Sequence, residues 1–153
     1  MIKEIAEAHN QKIEILSTID YVKDIAKTLG WDGTKTLENR RMLSDLKDLL
    51  TRWNDSPHQS VCNKINELEN VAAIFIDSRE PEDIKRFVEE YQALTVLVQR
   101  GSGDKIYGNH ADDCVEDFDY DIYVNNSRGL SELFEEANIF YECFIRGGEN
   151  ESN

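Results

Sequence analysis

Residues 71–88, VAAIFIDSREPEDIKRFV, lead a buried strand directly into a helix. Residues 71–76 form a continuous apolar run, which is typical of a strand that is covered on both faces. Pro81 favours the start of a helix, and Ile84 and Phe87 then recur with helical spacing. A strand followed at once by an amphipathic helix is half of a βαβ unit, so this stretch predicts an α/β fold with parallel strands.

Strands and helices continue to alternate on both sides of this stretch. Further strands are predicted over residues 12–16, 94–98 and 120–124, and helices over residues 2–9, 18–29, 37–53, 57–68 and 130–145. Such alternation predicts a mainly parallel sheet with helices on both faces, a three-layer αβα arrangement. In the long helix over 37–53, the apolar stripe that is expected to face inward comprises Leu43, Leu46, Leu49, Leu50 and Trp53.

The composition is that of one globular domain, with 40% hydrophobic and 31% charged residues. No apolar run approaches the roughly 18 residues of a membrane-spanning helix, and the N-terminus lacks a signal peptide. We therefore expect a single domain over residues 1–146, a frayed tail at 147–153 and a cytoplasmic location.

The cysteines Cys62, Cys114 and Cys143 have no C-x-x-C spacing, which favours reduced thiols over a disulfide or zinc framework.

The formal net charge of -14 limits the possible partners. Such a surface repels nucleic-acid polymers and anionic membranes unless basic residues gather locally. A small phosphorylated ligand remains compatible with this charge, because a few arginines in one cleft can bind it.

Parallel sheets bind ligands beyond the carboxyl ends of their strands, and this rule selects residues 17–20, 77–80 and 99–110. Arg79 lies where a buried strand ends and a helix begins, so it could hold a phosphate through a bidentate contact. The alternative interpretation is an ion pair at the start of the helix.

Arg40 and Arg41 lie in the first turns of the long helix, where basic side chains interact unfavourably with the helix dipole. Their position indicates an anionic partner for at least one of them. The alternative is that both side chains are solvated and paired with Glu38, Asp45 or Asp48.

The polar loop over about residues 100–118 mixes glycines with Arg100, Lys105, Asn109 and His110. A flexible backbone with a few cations is what a lid that closes over phosphate requires. A disordered surface loop is the alternative.

Two partial motifs predict no site. Residues 103–108 fit G-x-x-x-x-G, but Asn109 and His110 follow instead of Lys and Ser/Thr, so the phosphate-binding loop is not formed. His110 and Cys114 are spaced like two metal ligands without a third nearby, and no metal site is predicted. His58 lies in a polar segment that is expected to be exposed.

Four segments occur in a characteristic order: STIDYVKDIAKTLGWDG at 17–33, ENRRMLSDLKDLLTRWND at 38–55, IFIDSREPEDIKRF at 74–87 and GNHADDCVEDFDYDIYVNN at 108–126. Together they resemble the phage and bacterial deoxynucleoside monophosphate kinase-like P-loop proteins, over nearly all of residues 1–145. The resemblance implies a P-loop nucleotide kinase-like fold. It also implies transfer of a phosphoryl group from ATP, with Mg²⁺, to a nucleoside monophosphate.

The resemblance also implies roles for individual residues. The monophosphate would be bordered by Ser17, Thr18, Asp20, Arg40, Arg41, Ser44 and Lys47. Arg79 and Arg100 would be the catalytic arginines, and Lys105, Asn109 and His110 would belong to the lid.

The chain departs from this family at its beginning. The family starts with a strand and a glycine-rich loop carrying Lys-Ser/Thr, whereas this chain starts with the helix that would follow. The resemblance therefore implies an N-terminal truncation of roughly 15 to 20 residues, with no ATP or Mg²⁺ site among the residues present. We expect impaired phosphoryl transfer and an exposed sheet edge that a second copy could cover. The alternative is a non-catalytic nucleotide-binding or acidic, inhibitor-like interaction domain.

Overall fold

A computed structural model describes residues 1–99, 115 and 118–146. The helices are α1 (Ile2–Ala8), α2 (Thr18–Thr28), α3 (Leu37–Asn54), α4 (Ser56–Glu67), α5 (Pro81–Tyr91) and α6 (Leu130–Phe140), which continues as a π-helical segment, Tyr141–Arg146. The strands are β1 (Ile13–Ser17), β2 (Ala73–Asp77), β3 (Val96–Gln99) and β4 (Ile122–Asn125). None of the helices in these described ranges is long and apolar enough to cross a lipid bilayer.

The strands pair in parallel, as the alternation of strand and helix predicted. β1 pairs with β2 so that Ser17 lies opposite Asp77, and β3 pairs with β4 so that Gln99 lies opposite Asn125. The α/β class is confirmed. Within the described residues, however, the strands form two separate pairs and not one continuous sheet. The three-layer arrangement therefore remains a prediction.

β3 and β4 each begin about two residues later than predicted, because side-chain hydrogen bonds join the residues just before the two strands. The amide and the hydroxyl of Thr95 donate to Asp121 Oδ2 at 2.9 and 2.6 Å, and the Asp121 amide donates to Thr95 Oγ1 at 2.9 Å. These hydrogen bonds, that of the Thr95 hydroxyl first, lower the pKa of Asp121. They fix the register of the pair at its first residues.

α3 is rotated relative to the predicted apolar stripe. Leu50 is buried, as predicted, but Trp53 is 76% exposed and Leu49 is 54% exposed, and Lys47 is buried although it was not part of the stripe. The expectation that Leu49 and Trp53 face inward is therefore wrong. Lys47 turns inward because it meets two carboxylates of the α5 region, Glu80 and Asp83.

His58 is also buried, contrary to the sequence-based expectation of an exposed segment. Its ring stacks on Phe87 with the centroids 4.7 Å apart. The contact joins α4 to α5. The buried face of α4 therefore includes His58, which the polar composition of its segment had predicted to be exposed.

Asp55 links the end of α3 to the start of α4 in the left-handed conformation, with φ at 56°. Arg86 of α5 donates two hydrogen bonds to it, from Nη1 to Oδ1 at 2.9 Å and from Nη2 to Oδ2 at 2.6 Å. These bonds lower the pKa of Asp55 in the folded protein. The pair therefore holds α5 against the α3–α4 corner.

Replacing Asp55 by Asn tests this pair, because asparagine tolerates the left-handed conformation but carries no charge. Since the folded pKa is lowered, the stabilisation is complete above the unfolded pKa of about 3.9 and is lost as pH falls through the folded pKa. We expect Asp55→Asn to lower the free energy of unfolding by about 1 kcal/mol near neutral pH, with the difference vanishing in strong acid. Urea unfolding across the acid range measures it, and a difference independent of pH would contradict the ion pair.

Candidate functional site

A cavity of about 330 Å³ lies beyond the carboxyl ends of β1 and β2. Because these strands are parallel and Ser17 lies opposite Asp77, the segments that follow them leave the sheet at the same edge. The walls come from the β1–α2 junction, the loop at 31–35, the first half of α3 and the β2–α5 junction. Its size falls within the range of small-molecule sites.

The structure brings many of the predicted site residues to this cavity. Its walls include Ser17, Thr18, Arg40, Ser44, Lys47 and Arg79. Asp20 and Arg41 do not line it: Asp20 accepts a hydrogen bond from Lys23 at 3.0 Å, and Arg41 is exposed on α3. Arg100, Lys105, Asn109 and His110 lie outside the described residues, as does most of the predicted lid.

The cavity is basic although the protein is acidic. Lys23, Lys35, Arg40, Lys47 and Arg79 line it, against Asp77 and Glu80 as the acidic residues. Lys23 is paired with Asp20, and Lys47 is paired with Asp83 and Glu80. Lys35 and Arg40 make no ion pair with any other residue in the described part of the chain. A local excess of cations with low-dielectric walls focuses positive potential and attracts an anion.

Lys47 is buried against two carboxylates. Its Nζ lies 2.6 Å from Asp83 Oδ2 and 2.7 Å from Glu80 Oε2. The side chains of Lys47 and Asp83 are each only 8% exposed. Because two carboxylates offset its charge, we interpret Lys47 as a residue that ties α3 to α5 and so positions Glu80 beside Arg79.

The β1–α2 and β2–α5 junctions supply hydroxyl groups. The Ser17 hydroxyl donates to the backbone carbonyl of Asp77 at 2.9 Å and does not cap α2. The amides at the start of α2, which begins at Thr18, are thus left without a side-chain cap at an end of the helix that favours anions. Ser78 Oγ is buried without a hydrogen-bond partner among the described residues.

Sequence reasoning missed the loop at 31–35, which contributes Trp31, Thr34 and Lys35 to the walls. The Trp31 indole N–H donates to the Thr34 carbonyl at 3.1 Å, and Asn39 Nδ2 donates to the same carbonyl at 3.1 Å and to the Thr34 hydroxyl at 2.7 Å. These hydrogen bonds, between residues three and five positions apart, hold the loop against the start of α3.

Asp32 fixes the shape of the same loop. Its Oδ1 accepts hydrogen bonds from the Thr34 amide at 2.9 Å and from the Thr34 hydroxyl at 2.7 Å. These bonds, the backbone one first, lower the pKa of Asp32. Trp31 therefore belongs to a loop whose turn is fixed by hydrogen bonds.

The residues present do not fit the cradle that ATP and Mg²⁺ require. Neither strand-to-helix junction at the cavity, residues 17–18 or 77–81, contains a glycine-rich loop or Lys-Ser/Thr. The arrangement can bind and orient an anion. It does not supply the groups that activate ATP.

Comparison with known proteins finds no match, whether among protein-family models, curated proteins or solved structures.

Proposed function

We propose that this chain binds a nucleoside monophosphate in the cavity beyond β1 and β2. One observation carries the proposal. Four segments, residues 17–23, 31–35, 40–47 and 77–80, bring basic and hydroxyl side chains around a single cavity of about 330 Å³. The resemblance to deoxynucleoside monophosphate kinase-like proteins supplies the ligand class. The finer fold, a three-layer αβα domain in which both strand pairs belong to one sheet, is part of the same proposal.

The phosphate is assigned to Arg40 and Arg79, which both line the cavity. Arg79 follows β2 and Arg40 lies on α3, so two guanidinium groups approach from different walls. Each can donate two parallel hydrogen bonds to phosphate oxygens. The hydroxyls of Ser44 and Ser78 line the same cavity and can donate to the same oxygens, which would give the buried Ser78 hydroxyl a partner.

The base is assigned to the wall formed by Trp31. The indole N–H is already bonded to Thr34, so the ring contributes apolar and π surface more than a free donor. Stacking of a nucleobase on an aromatic side chain is worth about 1–3 kcal/mol and tolerates every base. Trp31 would therefore hold the base without selecting it.

The proposal concerns binding, and no phosphoryl-transfer step is derived. ATP and Mg²⁺ are implied by the resemblance alone, and the strand-to-helix junctions at the cavity lack the phosphate-binding loop that they require. The competing function, an acidic inhibitor-like interaction domain, is supported by the net charge of -14. The cluster of cations in one cavity favours a small anionic ligand instead. Self-association over an open sheet edge remains a prediction.

The two tryptophans allow a direct test of the Trp31 wall. Trp53 is 76% exposed and does not line the cavity, so Trp53→Phe leaves Trp31 as the only tryptophan at little structural cost. We expect a deoxynucleoside monophosphate to change the fluorescence of this variant saturably. Trp31→Leu should weaken the affinity about 10-fold or more, because the stacking surface is lost.

The reciprocal variant, Trp31→Phe, retains only Trp53 as a reporter. Its fluorescence should be insensitive to the nucleotide. A saturable response from Trp53 with none from Trp31 would move the ligand away from the cavity and reject this assignment.

A further inference from the structure

A second cluster of reactive side chains lies between α4 and α5, and none of its members lines the cavity. His58 and Cys62 are one turn apart on the same face of α4, and Glu90 comes from the last turn of α5. His58 Nε2 is 2.8 Å from Glu90 Oε2, and Cys62 Sγ is 3.7 Å from the same oxygen. A nitrogen, a sulfur and an oxygen thus converge, all within 4.8 Å of one another.

These separations are close to those of a tetrahedral metal centre. Zinc bonds of about 2.0–2.3 Å to nitrogen, oxygen and sulfur place the ligand atoms about 3.3–3.6 Å apart. Two of the observed separations, 2.8 and 3.7 Å, lie on either side of that range. Side-chain movements of roughly an ångström would allow an ion to bind without movement of either helix.

The surroundings favour a divalent cation despite a nearby arginine. Arg86 Nε lies 4.0 Å from Glu90 Oε1, but the same guanidinium is held by both oxygens of Asp55. The other oxygen of Glu90 faces His58 and Cys62. A thiolate and a carboxylate together with a neutral imidazole would neutralise a doubly charged ion in this partly buried place.

A hydrogen-bonded His58–Glu90 ion pair is the competing interpretation. In either interpretation His58 Nδ1, which is buried, has no hydrogen-bond partner among the described residues, so this atom does not distinguish them. A charged imidazolium would bury an unpaired N–H there, at about 1–3 kcal/mol. A metal on Nε2 leaves the same proton on Nδ1 without an acceptor, so we expect an affinity about 10- to 100-fold below that of a site with such a partner.

We propose that His58, Cys62 and Glu90 form a transition-metal site of the zinc class, with a fourth position open to solvent. Imidazole and thiolate select zinc and its neighbours over Mg²⁺ and Ca²⁺. Glu90 is 43% exposed on its side chain and provides the side from which an ion can enter. The ion would join α4 to α5.

Titration of the purified chain with Co²⁺ tests this site, because a cobalt–thiolate bond adds a charge-transfer absorption. The protein has three cysteines, and the double variant Cys114→Ser/Cys143→Ser leaves Cys62 as the only thiol. We expect the absorption in the wild type and in this double variant, and its loss in Cys62→Ser. Zn²⁺ should displace the Co²⁺ signal and raise the unfolding midpoint of the same two proteins.

Glu90→Gln provides a second variant that does not disturb the buried histidine. It should keep the thiolate absorption but weaken the Co²⁺ affinity by about 10-fold or more, since it replaces an anionic ligand. Absence of the absorption in the wild type overturns the proposal. So does an absorption that persists in Cys62→Ser, which would locate the bound metal at another cysteine.

Discussion

Arg79→Glu is expected to weaken nucleoside monophosphate binding by at least about 100-fold, the largest functional effect of any single substitution in the cavity. The change removes charge-assisted hydrogen bonds to phosphate, each worth about 1.5–3 kcal/mol. It also places a carboxylate where Asp77 and Glu80 already line the wall. Calorimetric titration of the variant with a deoxynucleoside monophosphate measures the loss.

Arg41→Glu is the matched control. It makes the same change of net charge, on an exposed residue next to Arg40 that does not line the cavity. Its affinity should remain within about 3-fold of the wild type, because screening weakens exposed charges. Equal losses in Arg41→Glu and Arg79→Glu would show that net charge, and not a local contact, governs binding.

Lys47→Met is expected to give the largest loss of stability, about 3–5 kcal/mol in the free energy of unfolding. The substitution leaves Asp83, whose side chain is 8% exposed, without its partner at 2.6 Å. It also releases Glu80 next to Arg79. Urea unfolding near neutral pH measures the loss.

Two further variants separate the ion pair from general effects of losing a lysine. Lys85→Met removes the charge of an exposed pair with Glu89 and should change stability by less than about 1 kcal/mol. Lys47→Met combined with Asp83→Leu should recover much of the loss, because no buried charge remains unpaired. A Lys47→Met protein as stable as the wild type would contradict the structural role assigned to Lys47.

The local elements of the fold could be predicted because their signals are local. Thr36 caps α3 by accepting from the Asn39 amide at 3.1 Å, and Pro81 begins α5. The strand pairing could not be deduced in full, since it depends on contacts such as Thr95 with Asp121, 26 residues apart. Hydrophobic periodicity also misplaced the inner face of α3, because the ion pair that buries Lys47 joins residues 36 positions apart.

The candidate site was predictable to the extent that strand ends define it. The parallel-sheet rule and the quoted segments located Ser17, Arg40 and Arg79, which the structure brings to one cavity. Trp31 was not singled out, because hydrophobic periodicity and composition do not show the hydrogen bonds that Trp31 and Asn39 donate to Thr34, although these residues are only three and five positions away from Thr34. The cluster of His58, Cys62 and Glu90 was not predicted, because His58 and Glu90 lie on different helices, 32 residues apart.

Calorimetric titration of the wild-type chain with deoxynucleoside monophosphates and with the corresponding nucleosides tests the central claim most directly. We predict saturable binding of at least one monophosphate, at least about 10-fold tighter than its nucleoside and weaker at high salt, because the basic wall recognises the phosphate. The contrary result is that no monophosphate binds, or that a nucleoside binds as tightly as its monophosphate. Either outcome would remove the phosphate from the cavity beyond β1 and β2.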